Sequence, residues 1–367
     1  MKKVAIITIL DNTNYGTYLQ ALALGLVVKN LGYKVEIIDY VRSFMTQKSI
    51  LSRIKNPIKK IFNILFNIPQ QEKLKKKDKE FLKQFLQLTP QTYTSFQTLK
   101  DNPPIADIYV TGSDQVWNST YNRGIDKSFY LDFAPQNSKR ISYAASIGMK
   151  DFPNEEKSEI SNLLKQYSHI TVRENDAKNI LNHLSFTHVD VVLDPTLLLN
   201  KDAWENIVKK FTPIKTDPFI LVYTVETKQE NKLIEHYAKI LAQKYSCKIY
   251  EVSYNGYFKR LKFADKHFLR ATPDIFIQLM HQATFVIVSS FHGTAFSINF
   301  NKQFLTISPN RFNSRVNNIL ELCHLENRLI SSKNYDIDNM CEIDFKKVNV
   351  ILNNERDKSI RILNSML

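Results

Sequence analysis

A continuously apolar, β-prone run, Val4 to Ile9, then a polar loop, Asp11 to Gly16, then apolar residues at helical spacing, constrains this chain most. Leu19, Leu22, Ala23, Leu26 and Val27 recur with the period of a helix face, Gly32 stops that helix, and Val35 to Tyr40 is a second apolar strand. Strand, helix and parallel strand form a βαβ unit with a right-handed crossover, and the loop after the first strand is a candidate ligand wall. The rhythm returns with strands at Asp107 to Thr111, Arg140 to Ala145, His169 to Arg173 and Val189 to Leu193. It returns again at Phe219 to Val225, Lys248 to Val252, Phe285 to Ser289 and Phe304 to Ile307, with helices near 229–244, 273–282 and 292–299. The expectation is α/β: two Rossmann-like domains with mainly parallel sheets, facing across a cleft that holds the site. A chain of 367 residues is long enough for two cores. Residues 1–208 are expected to form the N-terminal domain and 219–345 the C-terminal one. A Lys-, Thr- and Pro-rich linker, 209–218, separates them, and a final amphipathic helix occupies 346–367.

The formal charge is +14, which implies attraction to something anionic: nucleic acid, a lipid surface or a phosphorylated small molecule. Nucleic acid is disfavoured, because no zinc-finger spacing, RNP-like aromatic motif or helix-turn-helix is present. Much of the excess lies in a basic insertion, 42–88. There Leu51, Ile54, Ile58, Ile61, Phe62 and Leu65 fall on one helical face beside Lys48, Arg53, Lys55, Lys59 and Lys60. Such a helix can rest on an anionic membrane; a helical insertion with a solvated basic face is the favoured reading. Cys247, Cys323 and Cys341 form no CxxC pair and read as reduced thiols. No apolar stretch is long enough to cross a bilayer, and the opening MKKVAIITIL reads as a strand rather than a signal peptide. A cytoplasmic enzyme is expected, with peripheral contact at the inner face of a membrane as an option. The oligomeric state is left open.

The strongest local signal is VIVSSFHGTAFSINF, 286–300, where a buried strand delivers Ser289, Ser290, His292, Gly293 and Thr294 to the start of a helix. Helix N-termini present amide donors and a positive dipole end, which suits phosphate or carboxylate. Gly293 permits close backbone approach, and an imidazole exchanges protons near neutral pH. The structural alternative is a Ser or Thr cap with His292 satisfying a buried group. TGSDQVWN, 111–118, turns through glycine into Ser113, Asp114, Gln115, Trp117 and Asn118, the polar-plus-aromatic mixture of a sugar site. It reads equally well as an ordinary cap beside a core indole. NYGTYLQ supplies Asn14, Tyr15 and Gln20 but only one glycine, so a dinucleotide fingerprint is absent. Arg173 stands at a strand's carboxyl end, where it can clamp an anion or pair with a carboxylate. Arg311 and Arg315 follow the last major strand. VLDPTLLL, 192–199, is read as structural.

In order, NYGTYLQALAL, GSDQVWN, FYLDFAP, RISYAASIG, TVREND, VVLDPTLLL and SSFHGTAFSI resemble the polysaccharide pyruvyl transferase family, from about Lys2 to about Arg328. The resemblance implies a GT-B-like pair of Rossmann domains, phosphoenolpyruvate as donor, and a cyclic pyruvate ketal placed on a hexose of a bacterial surface glycan. By position His292 is similar to the family's catalytic histidine, and Arg173 and Arg315 to basic residues around the donor. Where many members have R-x-H this chain has Ser290-Phe291-His292, so Arg311 or Arg315 is expected to substitute. The N-terminal domain is then the acceptor side, with Asn14, Tyr15, Gln20, Ser113, Gln115, Trp117 and Asn118. The C-terminal domain is the donor side, with Ser290, Gly293 and Thr294.

This chemistry suits the residues. Addition of a sugar hydroxyl to C2 of an enol phosphate needs protonation at C3, for which His292 is the candidate acid, while Asp114 accepts a hydroxyl proton. Arginines and helix amides hold the departing phosphate. No metal and no cofactor beyond the co-substrate phosphoenolpyruvate is expected, and the partner is a hexose-containing, optionally lipid-linked oligosaccharide. The alternatives are a nucleotide-sugar glycosyltransferase of the same architecture and a non-catalytic glycan- or membrane-surface binding protein. Against the former, no Asp or Glu lies between Ser289 and Ile307 to hold a ribose.

Overall fold

A computed structural model describes residues 1–10, 14–54, 56–57, 61, 63–225, 228–256, 259–308 and 314–367. The chain divides into two compact units, Met1–Leu198 with Lys358–Leu367, and Leu199–Asp357. In the first, seven strands form one sheet: β1 (Lys3–Ile7), β2 (Lys34–Ile37), β3 (Gln87–Leu88), β4 (Ile108–Thr111), β5 (Lys139–Ala145), β6 (His169–Val172) and β7 (Val189–Val191). Their spatial order is β3-β2-β1-β4-β5-β6-β7, every pairing parallel. In the second, β8 (Phe219–Tyr223), β9 (Lys248–Ser253), β10 (Lys266–Leu269), β11 (Phe285–Val288), β12 (Gln303–Ile307) and β13 (Leu329–Ile330) make a sheet of order β10-β9-β8-β11-β12-β13, again all parallel. These are the two parallel α/β units expected.

Purely parallel sheets are covered on both faces, which is why β8 and β11 read as unbroken apolar runs and are buried throughout. The first core joins Ala5, Ile7, Tyr109, Val116, Trp117, Phe129 and Tyr130; the second joins Ile220, Val222, Tyr237, Leu241, Phe285 and Ile287. Each sheet reverses its winding once, between β1 and β4 and between β8 and β11, and open α/β sheets bind ligands at the carboxyl ends beside that reversal.

The division between units lies at Leu198/Leu199, before the segment expected to be a linker. Residues 209–218 belong to the second unit, held there by polar contacts that leave no apolar period. The Ile214 amide donates to Gln278 Oε1 (3.1 Å), the Thr216 hydroxyl to Gln282 Oε1 (3.1 Å), and Lys248 Nζ meets Asp217 at 2.7 Å. The helix Lys201–Val208 before it is anchored likewise, with Trp204 buried edge-on to Phe296 at 5.0 Å. The C-terminal helix Phe345–Met366 is shared, the division passing between Asp357 and Lys358, and Ser359 Oγ accepts the Leu193 amide just past β7 (3.0 Å). Among the described residues no cysteine is in a disulfide and no helix is long and apolar enough to cross a membrane.

Candidate active site

Both polar motifs begin where the winding reverses. In the second unit β11 ends at Val288, and Ser289 then bonds across the reversal to the end of β8, its hydroxyl 2.9 Å from Thr224 Oγ1 and accepting the Val225 amide at 3.3 Å. Ser290 is the N-cap of the helix Phe291–Asn299, its Oγ accepting the Gly293 amide at 3.1 Å. His292 therefore sits in the helix's first turn, against the positive dipole end. It is only 4% exposed and lies edge-on to Phe291 at 5.2 Å. Thr294 braces the turn from behind: its Oγ1 donates to the Ser290 carbonyl (3.0 Å) and lies 2.9 Å from Thr306 Oγ1 on β12. Ser290 and Thr294 thus spend their side chains on shaping the turn.

Gly293 is required by packing within the unit. A Cβ there would stand 2.7 Å from Val288 Cγ1 and 2.8 Å from Val288 Cβ, and neither atom can swing away. Gly293→Ala is expected to cost about 1–3 kcal/mol, because the helix must slide off the end of β11; chemical denaturation measures it. An unchanged midpoint would mean the helix re-seats freely.

The helix Ser314–Leu322 leads from β12 to the parallel β13, so it too starts at the carboxyl edge, and it packs against Phe291–Asn299. Arg315 is half-buried in its first turn. Arg311 lies outside the described residues, as do Asp11 to Thr13 of the first loop.

In the first unit the edge carries a buried polar network. Gln20 Nε2 donates to Thr8 Oγ1 (2.8 Å), whose hydroxyl donates to the Ser113 carbonyl (2.6 Å). Ser113 Oγ and Arg173 Nη1 both donate to Asp194 Oδ2, at 3.0 and 2.8 Å, and Asp194 Oδ1 accepts the Thr196 amide and hydroxyl. Glu174 lies 3.6 Å from Arg173 Nε through Oε2, while its Oε1 accepts Ser146 Oγ and the amides of Ile147 and Gly148. Burial pulls the Arg173 pKa down, but Asp194 and then Glu174 outweigh it, so the guanidinium is held charged. Arg173 is thus the centre of an internal ion-pair cluster instead of the surface anion clamp its strand-end place suggests.

Asp114 turns the chain at φ 78°, its Oδ1 accepting the Gln115 amide (2.9 Å) while its carbonyl accepts the Ser146 amide (3.0 Å). It ties the ends of β4 and β5 together. Gln115 is half-buried at this edge, its Oε1 accepting Asn118 Nδ2 (2.7 Å), and Asn118 caps the short helix that follows. Asn14, half-buried, caps the helix Tyr15–Asn30. Tyr15 and Gln20 are fully buried within that helix.

Trp117 departs most from the sugar-platform expectation. It is 1% exposed, its Nε1 donates to the Phe129 carbonyl (3.1 Å), and its ring stacks on Tyr130 at 5.7 Å. An indole whose faces are packed in the core has no surface for a ligand. Sequence reasoning names neither Thr8 nor Asp194 as a site residue, and both belong to this network. The signals were there, a lone threonine in an apolar strand and an Asp-Pro-Thr capping sequence. Among the described residues no group of three or more His, Cys, Asp or Glu converges as a metal site would require.

Two all-parallel units with polar turns at their winding reversals define a Rossmann-like α/β fold class. The fold is similar to that of UDP-GlcNAc 2-epimerase from Methanocaldococcus jannaschii, at 14% identity and TM-score 0.51, covering 98% of this chain and 99% of that one. It is also similar to the S. aureus MnaA-UDP co-structure, at 12% identity and TM-score 0.51, covering 96% and 88%. At such identities the likeness shows the fold alone. Among curated proteins, none matches. The chain belongs to the polysaccharide pyruvyl transferase family, whose model matches residues 14–311.

Proposed function

We propose that the protein transfers the enolpyruvyl group of phosphoenolpyruvate to two hydroxyls of a hexose in a bacterial surface glycan precursor, giving a cyclic pyruvate ketal and phosphate. The observation that carries this reading is the coincidence of the Ser289–Thr294 turn, His292 in its first helical turn, with the winding reversal of the second sheet. Family membership narrows the chemistry to pyruvyl transfer.

An imidazolium at His292 gives its proton to C3 of the enol ester, and a sugar hydroxyl adds to C2, losing its proton to a carboxylate for which Asp114 is the candidate. A second hydroxyl of the same sugar then bonds C2 as the C2–O–phosphate bond breaks, its proton passing to the departing phosphate. Phosphate leaves with the electron pair, eased by the first-turn amides of the Phe291–Asn299 helix and by Arg315. The donor is assigned to the second unit, and the acceptor to the edge residues Asn14, Asp114 and Gln115 of the first. Tyr15, Gln20, Ser113, Trp117, Asn118 and Arg173 are assigned to building that edge. No cofactor enters the scheme.

Incubation with labelled phosphoenolpyruvate and a lipid-linked or free hexose oligosaccharide, followed by mass spectrometry, is expected to show phosphate release and a labelled ketal on the glycan. Release of nucleotide from a UDP-sugar, with phosphoenolpyruvate untouched, would instead favour glycosyl transfer.

A further inference from the structure

Eleven basic and three acidic residues lie between Gln47 and Lys83, so this stretch holds more than half of the chain's net charge of +14. The single amphipathic helix expected there falls partly on residues outside the described ones (55, 58–60 and 62). A short helix, Gln47–Ser52, opens the segment, and a wide π-helical turn, Asn63–Asn67, runs directly into the helix Ile68–Lys83.

The inner face of that last helix is committed. Ile68, Leu74, Phe81 and Leu82 are buried, Lys79 is 2.7 Å from Asp39, and Leu86 just beyond fills the space over Gly25 of the helix Tyr15–Asn30. The outer face carries Lys73, Lys76 and Lys77, all exposed. At its N-terminal end stand Ile61, Ile64, Leu65 and Phe66, exposed by 57%, 46%, 61% and 52%. These are half of the eight large apolar side chains that are exposed among the described residues, gathered in six positions. The exposed apolar residues end at Phe66 and the exposed lysines begin at Lys73, so apolar and cationic groups adjoin along one segment of the chain.

We propose that Ile61, Ile64, Leu65 and Phe66, with Lys73, Lys76 and Lys77, dock the protein on an anionic lipid surface. Apolar side chains that enter the headgroup boundary, flanked by lysines that meet its negative potential, are the two signals that peripheral binding needs. Charge decides against a second copy of this chain as occupant, since the same lysines would meet their own kind. The inference stands apart from the reaction assigned above.

The test is flotation of the full chain with phosphatidylcholine vesicles, with and without phosphatidylserine. Binding is expected to be roughly tenfold or more stronger with phosphatidylserine and to fall as salt is raised. Leu65→Ser/Phe66→Ser and, separately, Lys73→Glu/Lys76→Glu/Lys77→Glu are each expected to weaken it at least tenfold, with thermal melting unchanged because these side chains are exposed. Equal binding to both vesicles, binding to neither, or variants that float like the wild type would overturn the proposal. So would a dimer in sedimentation that the Leu65→Ser/Phe66→Ser variant dissolves.

Discussion

Substituting His292 with glutamine or alanine is expected to lower ketal formation by about two to four orders of magnitude, the range typical of a lost general acid. Two variants are needed because the ring is 4% exposed: alanine leaves a void that can disturb the turn, whereas glutamine keeps most of the volume without the proton. A chemical role predicts that both lose turnover alike while phosphoenolpyruvate still binds and melting of the glutamine variant is preserved. A packing role predicts that loss tracks stability, with alanine much the worse. Phosphate release, donor binding and melting on the three proteins separate these outcomes, and wild-type turnover in either variant would remove His292 from the reaction.

The second large effect belongs to stability. Asp194→Ala removes the carboxylate that neutralises Arg173, at 2.8 Å, and at the same time strips Ser113 and Thr196 of their acceptor. Glu174 cannot take over, because its Oε1 is already held by Ser146 and two amides and its Oε2 stands 3.6 Å from Arg173. Breaking a buried ion pair by removing one partner costs about 3–5 kcal/mol, so the denaturation midpoint of the first unit should fall sharply. Arg173→Met combined with Asp194→Leu is expected to recover much of that loss, since the desolvation penalty disappears with both charges. A single Asp194→Ala variant as stable as the wild type would show that the cluster is not what holds the edge of this sheet.

Much of the fold was legible because strands buried on both faces announce themselves. β1, β2, β4, β5, β6, β7, β8, β9, β11 and β12 all coincide with strands read from the chain. The strands that were not legible lie toward the sheet margins: β3 and β13 are two residues each, and β10 is only half-buried along its length. Pairing with a neighbour, not a local hydrophobic pattern, is what makes them strands. The site was legible in place more than in role. Strand order puts both polar motifs beside the winding reversals, and that order is a long-range property no local window contains. Arg173 and Trp117 illustrate the other half of the problem. A guanidinium at a strand end and an indole in a polar turn look alike in sequence whether they face a ligand or the interior, and here Asp194 and Tyr130 decide for the interior.

The discontinuity of the first unit bears on how the protein is made. Leu193, just past β7, waits for Ser359, which leaves the ribosome 166 residues later, so the N-terminal sheet emerges early but lacks part of its cover until the second unit has been made. The second unit, uninterrupted in the chain, has no such delay. An incomplete first unit is therefore carried on the growing chain while the whole second unit is made.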